Sequence, residues 1–223
     1  SYLSNYRFHE KHLSCDERAK ARKLSTVRSM FKYFFNKGLI ETNNTAKVAT
    51  PKLHEKEIIR LEGGEIPSLL NAAEYGDGLS KHAVGYHEKT KIRDIAILTL
   101  FLGTGIRISE LVGLNDESID FSNNSFVVTR KGGNKAILYF SEEVGDALAA
   151  YLAQKEEDPH VPAEEHALFL SLQYRRITVR AVENLVKKYA GIVTPLKKIT
   201  PHKLRSTYGT ALYRETGDIY IVA

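Results

Sequence analysis

The sequence predicts a mainly α-helical fold that carries one small antiparallel β-sheet. Through most of the chain apolar residues recur every three to four positions, which is the period of a helix with one buried face. Two short segments, residues 121–130 and 136–140, alternate instead and are rich in residues that favour strands. Hydrophobic residues make up 43% of the 223 positions and charged residues 26%, an ordinary balance for a globular protein.

The first predicted helix spans residues 17–37. Ala21, Leu24 and Phe31 follow the helical period, and Gly38 is placed to end the helix as its C-cap. Basic side chains occupy the other faces of this helix. A cluster of aromatic residues near its end is expected to belong to a core rather than to stack on bases: Phe31, Tyr33, Phe34 and Phe35.

Residues 51–66 are predicted to be a linker between two domains. They contain Pro51, a run of mixed charge and the pair Gly63-Gly64, a composition typical of interdomain connections. The sequence therefore predicts a small helical unit at residues 1–50 and a larger domain at residues 67–223.

The larger domain is predicted to begin with helices. A helix near residues 67–75 is followed by a polar, glycine-containing loop at 76–90 and an apolar helix at about 92–102. Gly103 to Gly105 break this helix, and a further helix is expected at 107–114.

A β-hairpin follows these helices. Residues 121–130 and 136–140 are the two strands, and Lys131-Gly132-Gly133-Asn134-Lys135 forms a glycine-rich turn between them. Three more helices are expected after the hairpin, the last one entered through Thr200-Pro201: residues 142–155, 176–190 and 202–215.

Cysteine usage and hydropathy predict a reducing, cytoplasmic setting. Cys15 is the single cysteine and cannot form an internal disulfide. Apolar runs stay well short of the roughly 20 residues that a membrane span needs. The first residues also lack the charged-then-apolar profile of a signal peptide.

The charge of the chain is divided into blocks. Residues 1–56 hold twelve Lys/Arg against five Asp/Glu, and residues 174–205 hold nine against one. Residues 57–173 are acidic, with ten Lys/Arg against nineteen Asp/Glu. Two basic blocks on either side of an acidic middle suit a polyanion held at two places, although basic residues on solvated helix faces would give the same count.

Arg107 lies in the segment Gly103-Thr104-Gly105-Ile106-Arg107-Ile108-Ser109-Glu110-Leu111. The glycines break the chain, so that Arg107 enters the first turn of a new helix, where an anion is favoured. Glu110 is three residues further on and shares its helix face, so its carboxylate can orient the guanidinium. An exposed arginine after a turn, with a solvated ion pair, is the alternative.

A second candidate anion site follows Pro201. His202 and Arg205 are three residues apart and share one helix face. A histidine at a helix N-terminus beside basic residues is disfavoured in its protonated form, which suits a proton acceptor. A structural histidine is the alternative.

Lys131 lies at the hairpin turn beside two glycines, where it could reach a phosphate or donate a proton. Lys135 is a near-equivalent rival, and a solubilising turn lysine is the alternative. His82 and His87 lack the spacing of a metal site, and no metal is expected.

These segments together resemble the tyrosine recombinase (phage-integrase) family, and most closely its Xer-type members. Residues 103–111 resemble the family's first arginine motif, Lys131 its hairpin lysine, and His202-x-x-Arg205 its second box. Residues 17–52 resemble the latter part of its core-binding domain. The resemblance covers essentially the whole chain, and the four motifs occur in the family's order.

The resemblance implies a reaction in which a tyrosine attacks DNA and forms a 3′-phosphotyrosyl link without metal, nucleotide or other cofactor. Arg107 and Arg205 would neutralise the non-bridging phosphate oxygens, and Glu110 would brace Arg107. Lys131 would protonate the leaving 5′-oxygen, with His202 assisting proton removal or oxygen binding.

The resemblance also implies double-stranded DNA as the partner, and self-association on it as a tetramer, with C-terminal exchange in the full-length protein. DNA would be clamped between the small helical domain and the catalytic domain. We expect eight basic residues of the two basic blocks to contact it: Lys20, Arg22, Lys23, Arg28, Lys32, Arg175, Arg176 and Arg180.

Two departures from the family pattern affect the expected activity. Ser206 stands where members usually carry a second histidine. The family's later His/Trp position and nucleophilic tyrosine lie beyond the box helix, and Tyr208, Tyr213 and Tyr220 are too close to Arg205 to match them. We therefore expect a catalytic fragment trimmed at both ends, with no nucleophile and no activity of its own.

Several functions stay open at this level. Integration or excision of a mobile element and resolution of chromosome dimers both fit the sequence. A DNA-binding derivative that does not cleave, and a DNA relaxer like the type IB topoisomerases, are the alternatives to a recombinase.

Overall fold

A computed structural model describes residues 16–53, 59–130 and 132–218. The predicted fold class is confirmed, because the described residues are mostly helical and contain one three-stranded antiparallel sheet. The chain divides into two compact units, residues 1–57 and 58–223. Leu61, within the predicted linker, is buried in the core of the second unit.

The first unit is built on helix α1 (Glu17–Asn36), close to the predicted bounds. The side chain of Asp16 accepts a hydrogen bond from the backbone N–H of Ala19 at 2.6 Å and caps the N-terminus. Gly38 has φ +70°, and the backbone N–H groups of Gly38 and Leu39 donate to Phe35 and Phe34. This is the left-handed C-cap that the glycine predicted.

A 3₁₀ helix at Asn44–Lys47 follows α1. Arg28 of α1 joins the two, because its guanidinium donates to the carbonyl oxygens of Thr45 and Val48 and to the hydroxyl of Thr50. The donors of this arginine therefore hold the connection after α1 against the helix.

The prediction that the aromatic cluster of α1 belongs to a core is wrong for two of its members. Tyr33 is 57% exposed and Phe35 is 47% exposed, whereas Phe31 and Phe34 are half-buried. Residues that follow one another in a helix point in directions about 100° apart, so adjacent aromatics cannot share one buried face.

Helix α2 (Glu65–Tyr75) and helix α3 (Lys81–Thr104) open the second unit. The predicted loop at 76–90 is wrong beyond residue 80, where Ser80 caps α3 and accepts from the backbone N–H of Ala83. The polar residue His87 obscured the pattern because it is buried and its Nε2 pairs with the carbonyl oxygen of Ala73 at 2.8 Å. Helix α3 packs against α2 and two later helices.

The sheet has the order β1-β2-β3, with β1 (Ile119–Asp120), β2 (Ser125–Thr129) and β3 (Lys135–Tyr139). The predicted single strand at 121–130 is wrong at its beginning, because residues 121–124 form a turn between β1 and β2. Asn124 has φ +46° in this turn, a conformation that no strand contains. Phe126 of β2 is fully buried in the main core.

Four further helices complete the described part of the second unit: α4 (Ile108–Val112), α5 (Glu142–Glu157), α6 (Val179–Val193) and α7 (Pro201–Thr216). Helices α5 and α7 both pack against α3, and α6 packs against α2. The core is continuous through these contacts and holds α4 and α7 in fixed places.

A buried ionic network joins α3 to α6. Asp94 is 1% exposed and accepts hydrogen bonds from Thr90, Arg93, Lys188 and Tyr189. The hydroxyl of Tyr189 donates at 2.9 Å, and burial together with the Asp94 charge raises the pKa of this tyrosine. Because both carboxylate oxygens of Asp94 accept hydrogen bonds, its burial is compensated.

Among residues 16–53, 59–130 and 132–218, we find no helix whose length and apolar character would let it cross a membrane.

Candidate nucleic-acid active site

The segment around Arg107 is shaped by the end of α3. Gly105 adopts φ +59° and ends that helix, with its backbone N–H donating to the carbonyl oxygen of Phe101 at 3.0 Å. Ile106 is fully buried, so the turn is anchored in the core. Arg107 is the N-cap residue of α4, one position before the predicted first turn. Because α4 has only five residues, the site consists of the side chains of this segment and not of a helix N-terminus.

Glu110 holds Arg107 at two points. Its Oε1 lies 2.7 Å from Nη1 of Arg107, and its Oε2 accepts from the backbone N–H of Arg107 at 3.1 Å. The carboxylate is buried, whereas the side chain of Arg107 is 47% exposed. Glu110 therefore orients the guanidinium of Arg107 from its buried side, and the remaining N–H donors face solvent.

Arg205 comes to the same place from helix α7. Its Nη1 donates to the carbonyl oxygen of Gly105, two residues before Arg107. Burial lowers the pKa of Arg205 below its ordinary value, and the positive charge of Arg107 lowers it further. The two arginines therefore lie within electrostatic reach of each other near the Gly105 turn.

His202 lies one turn before Arg205 on α7, which begins with Pro201 after the N-cap residue Thr200. The residue is exposed, and its carbonyl oxygen accepts from the hydroxyl of Ser206 at 3.0 Å. Its spacing of three residues puts it on the same face as Arg205. Ser206 thus bonds to the backbone of its own helix.

Lys131 lies outside the described residues. The residues around it close the hairpin: the backbone N–H of Arg130 donates to Asn134 at 2.8 Å, and that of Gly133 donates to Arg130 at 3.0 Å. Gly132 has φ +93° and Gly133 has φ +83°, so the turn needs both glycines. Lys135 is exposed at the start of β3, opposite Thr129.

The structure adds two residues that the sequence patterns did not single out. Tyr208 packs against Gly105, where an added Cβ would lie 2.4 Å from its ring. Arg130 is a third arginine near Arg205, because its charge also lowers the pKa of Arg205. Two signals in the sequence could have found them: the spacing of three residues from Arg205 for Tyr208, and strand alternation for Arg130.

The basic residues of α1 have different surroundings. Arg22 and Lys32 are exposed, whereas Lys20 pairs with Glu17 at 2.7 Å and Lys23 is half-buried. The guanidinium of Arg28 is used in the contacts to residues 45–50 described above.

The second set of basic residues lies before and within α6. Arg175 and Arg180 are exposed, and Arg180 lies 3.2 Å from Glu183 in a solvated pair. Arg176 instead donates to the carbonyl oxygens of Val112 and Leu114, each at 2.9 Å. Arg176 therefore holds the end of α4, and part of its guanidinium is already engaged in these hydrogen bonds.

Comparisons with known proteins agree with the motifs. The sequence model of the Phage integrase family matches residues 60–223. Tyrosine recombinase XerC of Thermodesulfovibrio yellowstonii is 33% identical over 206 residues, which cover 91% of this chain and 64% of that protein. Tyrosine recombinase XerS of Streptococcus agalactiae is 34% identical over 223 residues, covering 91% of this chain and 62% of that protein.

A similar solved structure is that of the Tn1549 transposon integrase in complex with circular intermediate DNA. It superposes with a TM-score of 0.65 at 23% identity, over 96% of this chain and 71% of that one. At this identity the likeness bears on the fold. The chain spans less than two thirds of the length of the curated relatives described above. The matched residues include both arginine motifs, and the chain belongs to the phage integrase family.

Proposed function

We propose that this protein is a site-specific DNA recombinase that cleaves and rejoins duplex DNA through a 3′-phosphotyrosyl intermediate. The observation that carries the proposal is the meeting of Arg107 and Arg205 at the Gly105 turn, from segments far apart in the chain. Two oriented guanidiniums match the non-bridging oxygens of one phosphodiester. Membership of the phage integrase family and the tyrosine recombinases among its relatives support the same function.

The two arginines would act by stabilising charge in the transition state. Negative charge grows on the non-bridging oxygens as the nucleophile attacks, and fixed positive groups favour that state without reorganising. Glu110 would keep Arg107 in the required orientation through its two contacts. The carbonyl oxygen of Gly105 would do the same for Arg205.

The proton transfers would fall to the other two motif residues. Lys131, on the hairpin turn, would protonate the leaving 5′-oxygen, and Lys135 is its rival for this role. His202, exposed one turn from Arg205, would assist proton removal or hold a phosphate oxygen. Tyr208 packs on Gly105 beside Arg205, and we do not propose it as the nucleophile.

The basic residues of the two units would bind the DNA backbone. Arg22, Lys32, Arg175 and Arg180 are exposed and suit phosphate contacts, together with Lys20 and Lys23. Arg28 and Arg176 would mainly position the segments they hold. On DNA the protein would assemble as a tetramer and act in the cytoplasm, for mobile-element integration and excision or for resolution of chromosome dimers.

Binding of the 1–223 chain to duplex DNA tests the first part of the proposal. Affinity should fall steeply as salt rises, because each neutralised phosphate releases counterions. An absence of affinity for duplex DNA at low salt would contradict the proposal.

Cleavage is tested with the full-length protein and a nicked suicide duplex that carries the recombination site. We expect a covalent protein–DNA complex and, with two intact duplexes, exchange of strands. Binding without any covalent complex would indicate a derivative that does not cleave. Relaxation of supercoiled DNA without strand exchange would indicate a topoisomerase-like enzyme.

A further inference from the structure

The end of the β-hairpin carries an arginine, Arg130, that the proposed mechanism does not use. Its backbone N–H donates to the carbonyl oxygen of Asn134, so the β2–β3 pairing extends one residue beyond Thr129. The residue is exposed and directly precedes the hairpin turn. The hairpin therefore holds the backbone of Arg130, and this determines on which face of the sheet its side chain lies.

Strand alternation gives Arg130 the inner face of the sheet. Phe126 and Val128 are buried, whereas Val127 and Thr129, each of which follows one of them, are exposed. Continuing with a period of two, Arg130 follows Val128 on the side that packs against α4. Helix α4 begins directly after Arg107. The inner face of the hairpin therefore packs on the apolar core and, at Arg130, is directed toward Arg107 and Arg205.

The charges at this place are unbalanced. Among the described residues, Arg107, Arg130 and Arg205 stand against one buried carboxylate, Glu110. Burial lowers the pKa of Arg205 most, and the charges of Arg107 and Arg130 lower it further. Among the described residues, no carboxylate lies within ion-pair distance of the Arg130 guanidinium. A polyanion bound here would relieve this repulsion.

We propose that Arg130 is a further DNA-contacting residue of the active site, which binds a backbone phosphate next to the one held by Arg107 and Arg205. This inference rests on the proposed function. A phosphodiester has two non-bridging oxygens, and the forks of two arginines occupy both. A third guanidinium on a separate element is therefore best placed for a neighbouring phosphate, where it would fix the register of the strand.

The test uses the full-length protein with the variants Arg130→Ala and Arg130→Lys, and Arg214→Ala as the matched control. Arg214 is exposed near the end of α7 and belongs to neither the site nor the proposed DNA contacts. Removal of one phosphate contact should reduce the slope of log affinity against log salt by about one. Arg130→Lys should restore part of the slope because the charge is kept, and Arg214→Ala should match wild type.

Duplexes with one neutral phosphate distinguish a direct phosphate contact of Arg130 from a structural effect of its substitution. Duplexes with a methylphosphonate at each position next to the scissile phosphate are compared for wild type and Arg130→Ala. When the neutral phosphate is the one that Arg130 contacts, Arg130→Ala should bind the duplex no more weakly than wild type does. In that duplex the charge that Arg130 would pair with is already absent. A structural role would give the same additional loss at every position.

Two outcomes would overturn the inference while leaving the proposed function intact. In one, wild type forms covalent complexes and Arg130→Ala has the affinity and salt slope of Arg214→Ala. In the other, the Arg130→Ala loss persists unchanged at every neutralised position. Failure of wild type to bind or cleave any duplex would instead contradict the proposed function itself.

Discussion

The guanidinium of Arg205 donates a hydrogen bond to the carbonyl oxygen of Gly105, which joins helix α7 to the turn that carries Arg107. This contact links segments 100 residues apart and sets where the second arginine lies. Tyr208, one turn after Arg205, packs against the same glycine. The position of Arg205 therefore depends on the backbone of Gly105 as well as on its own helix.

Gly105→Ala should disturb both the fold and the site. The residue has φ +59°, and an added Cβ would lie 2.4 Å from the Tyr208 ring, so the turn or the ring must move. We expect a loss of about 1–3 kcal/mol in the free energy of unfolding, measured by chemical denaturation. Gly191→Ala is the control, because its position in α6 is exposed with nothing within 4 Å. Equal stability of the two variants would contradict the packing of Tyr208 on Gly105.

Glu110→Gln should slow cleavage more than it weakens binding. The substitution keeps an oxygen acceptor but removes the charge that lies 2.7 Å from the Arg107 guanidinium. A misplaced catalytic group costs about tenfold to a hundredfold in rate. We expect that loss in the rate of covalent complex formation, with duplex affinity and its salt slope close to wild type. Exposed Glu143→Gln is the control, and an equal effect on binding and cleavage would exclude a positioning role.

Asp94→Asn should destabilise the second unit strongly. The carboxylate is buried and pairs with Arg93 and Lys188, so its neutralisation leaves two cations without their partner. Removal of one member of a buried ion pair costs about 3–5 kcal/mol. Denaturant unfolding should show a loss of this size, against almost none for Asp77→Asn at an exposed position. A loss below about 1 kcal/mol would show that the network contributes little.

Glu65→Gln should change how stability depends on pH. A hydrogen bond from Lys197 holds the pKa of Glu65 below its ordinary value of 4.5, at Nζ–O distances of 2.8 Å. A lowered pKa in the folded state means that the stabilisation is present above pH 4.5 and is lost as pH falls through the folded-state pKa. Both side chains are partly exposed, so the difference at neutral pH should be at most about 1 kcal/mol.

Denaturation of wild type and Glu65→Gln between pH 7 and pH 3 measures this difference. The two stability curves should converge in acid, where the carboxyl group of wild type is protonated. Exposed Glu62→Gln is the control and should follow wild type throughout. A constant gap between Glu65→Gln and wild type down to the lowest pH would exclude the ionised pair as its cause.

Local sequence patterns were sufficient where neighbouring residues decide the structure. Helix α1 and its glycine C-cap follow from spacing and from one residue type. The pairing of Arg107 with Glu110 likewise follows from their separation of three residues. These features need no information from distant parts of the chain.

Local sequence patterns were insufficient where a partner distant in the chain determines the structure. The apolar period does not indicate the start of α3, because His87 and Asp94 interrupt it and their burial depends on Ala73 and Tyr189. No local stretch of sequence indicates that Arg205 approaches Gly105, because the two residues are 100 positions apart in the chain. The local sequence does not reveal the role of Arg130, because the charges near it come from two other elements.

The central claim is that Arg107 and Arg205 together hold the scissile phosphate, and covalent complex formation tests it most directly. Full-length wild type, Arg107→Ala, Arg205→Ala, the double variant and Arg214→Ala are incubated with a nicked suicide duplex, and the rate of covalent complex formation is measured. Each active-site variant should lose about a hundredfold or more in rate, while Arg214→Ala stays near wild type. Covalent complexes formed by the double variant at the wild-type rate would contradict the account.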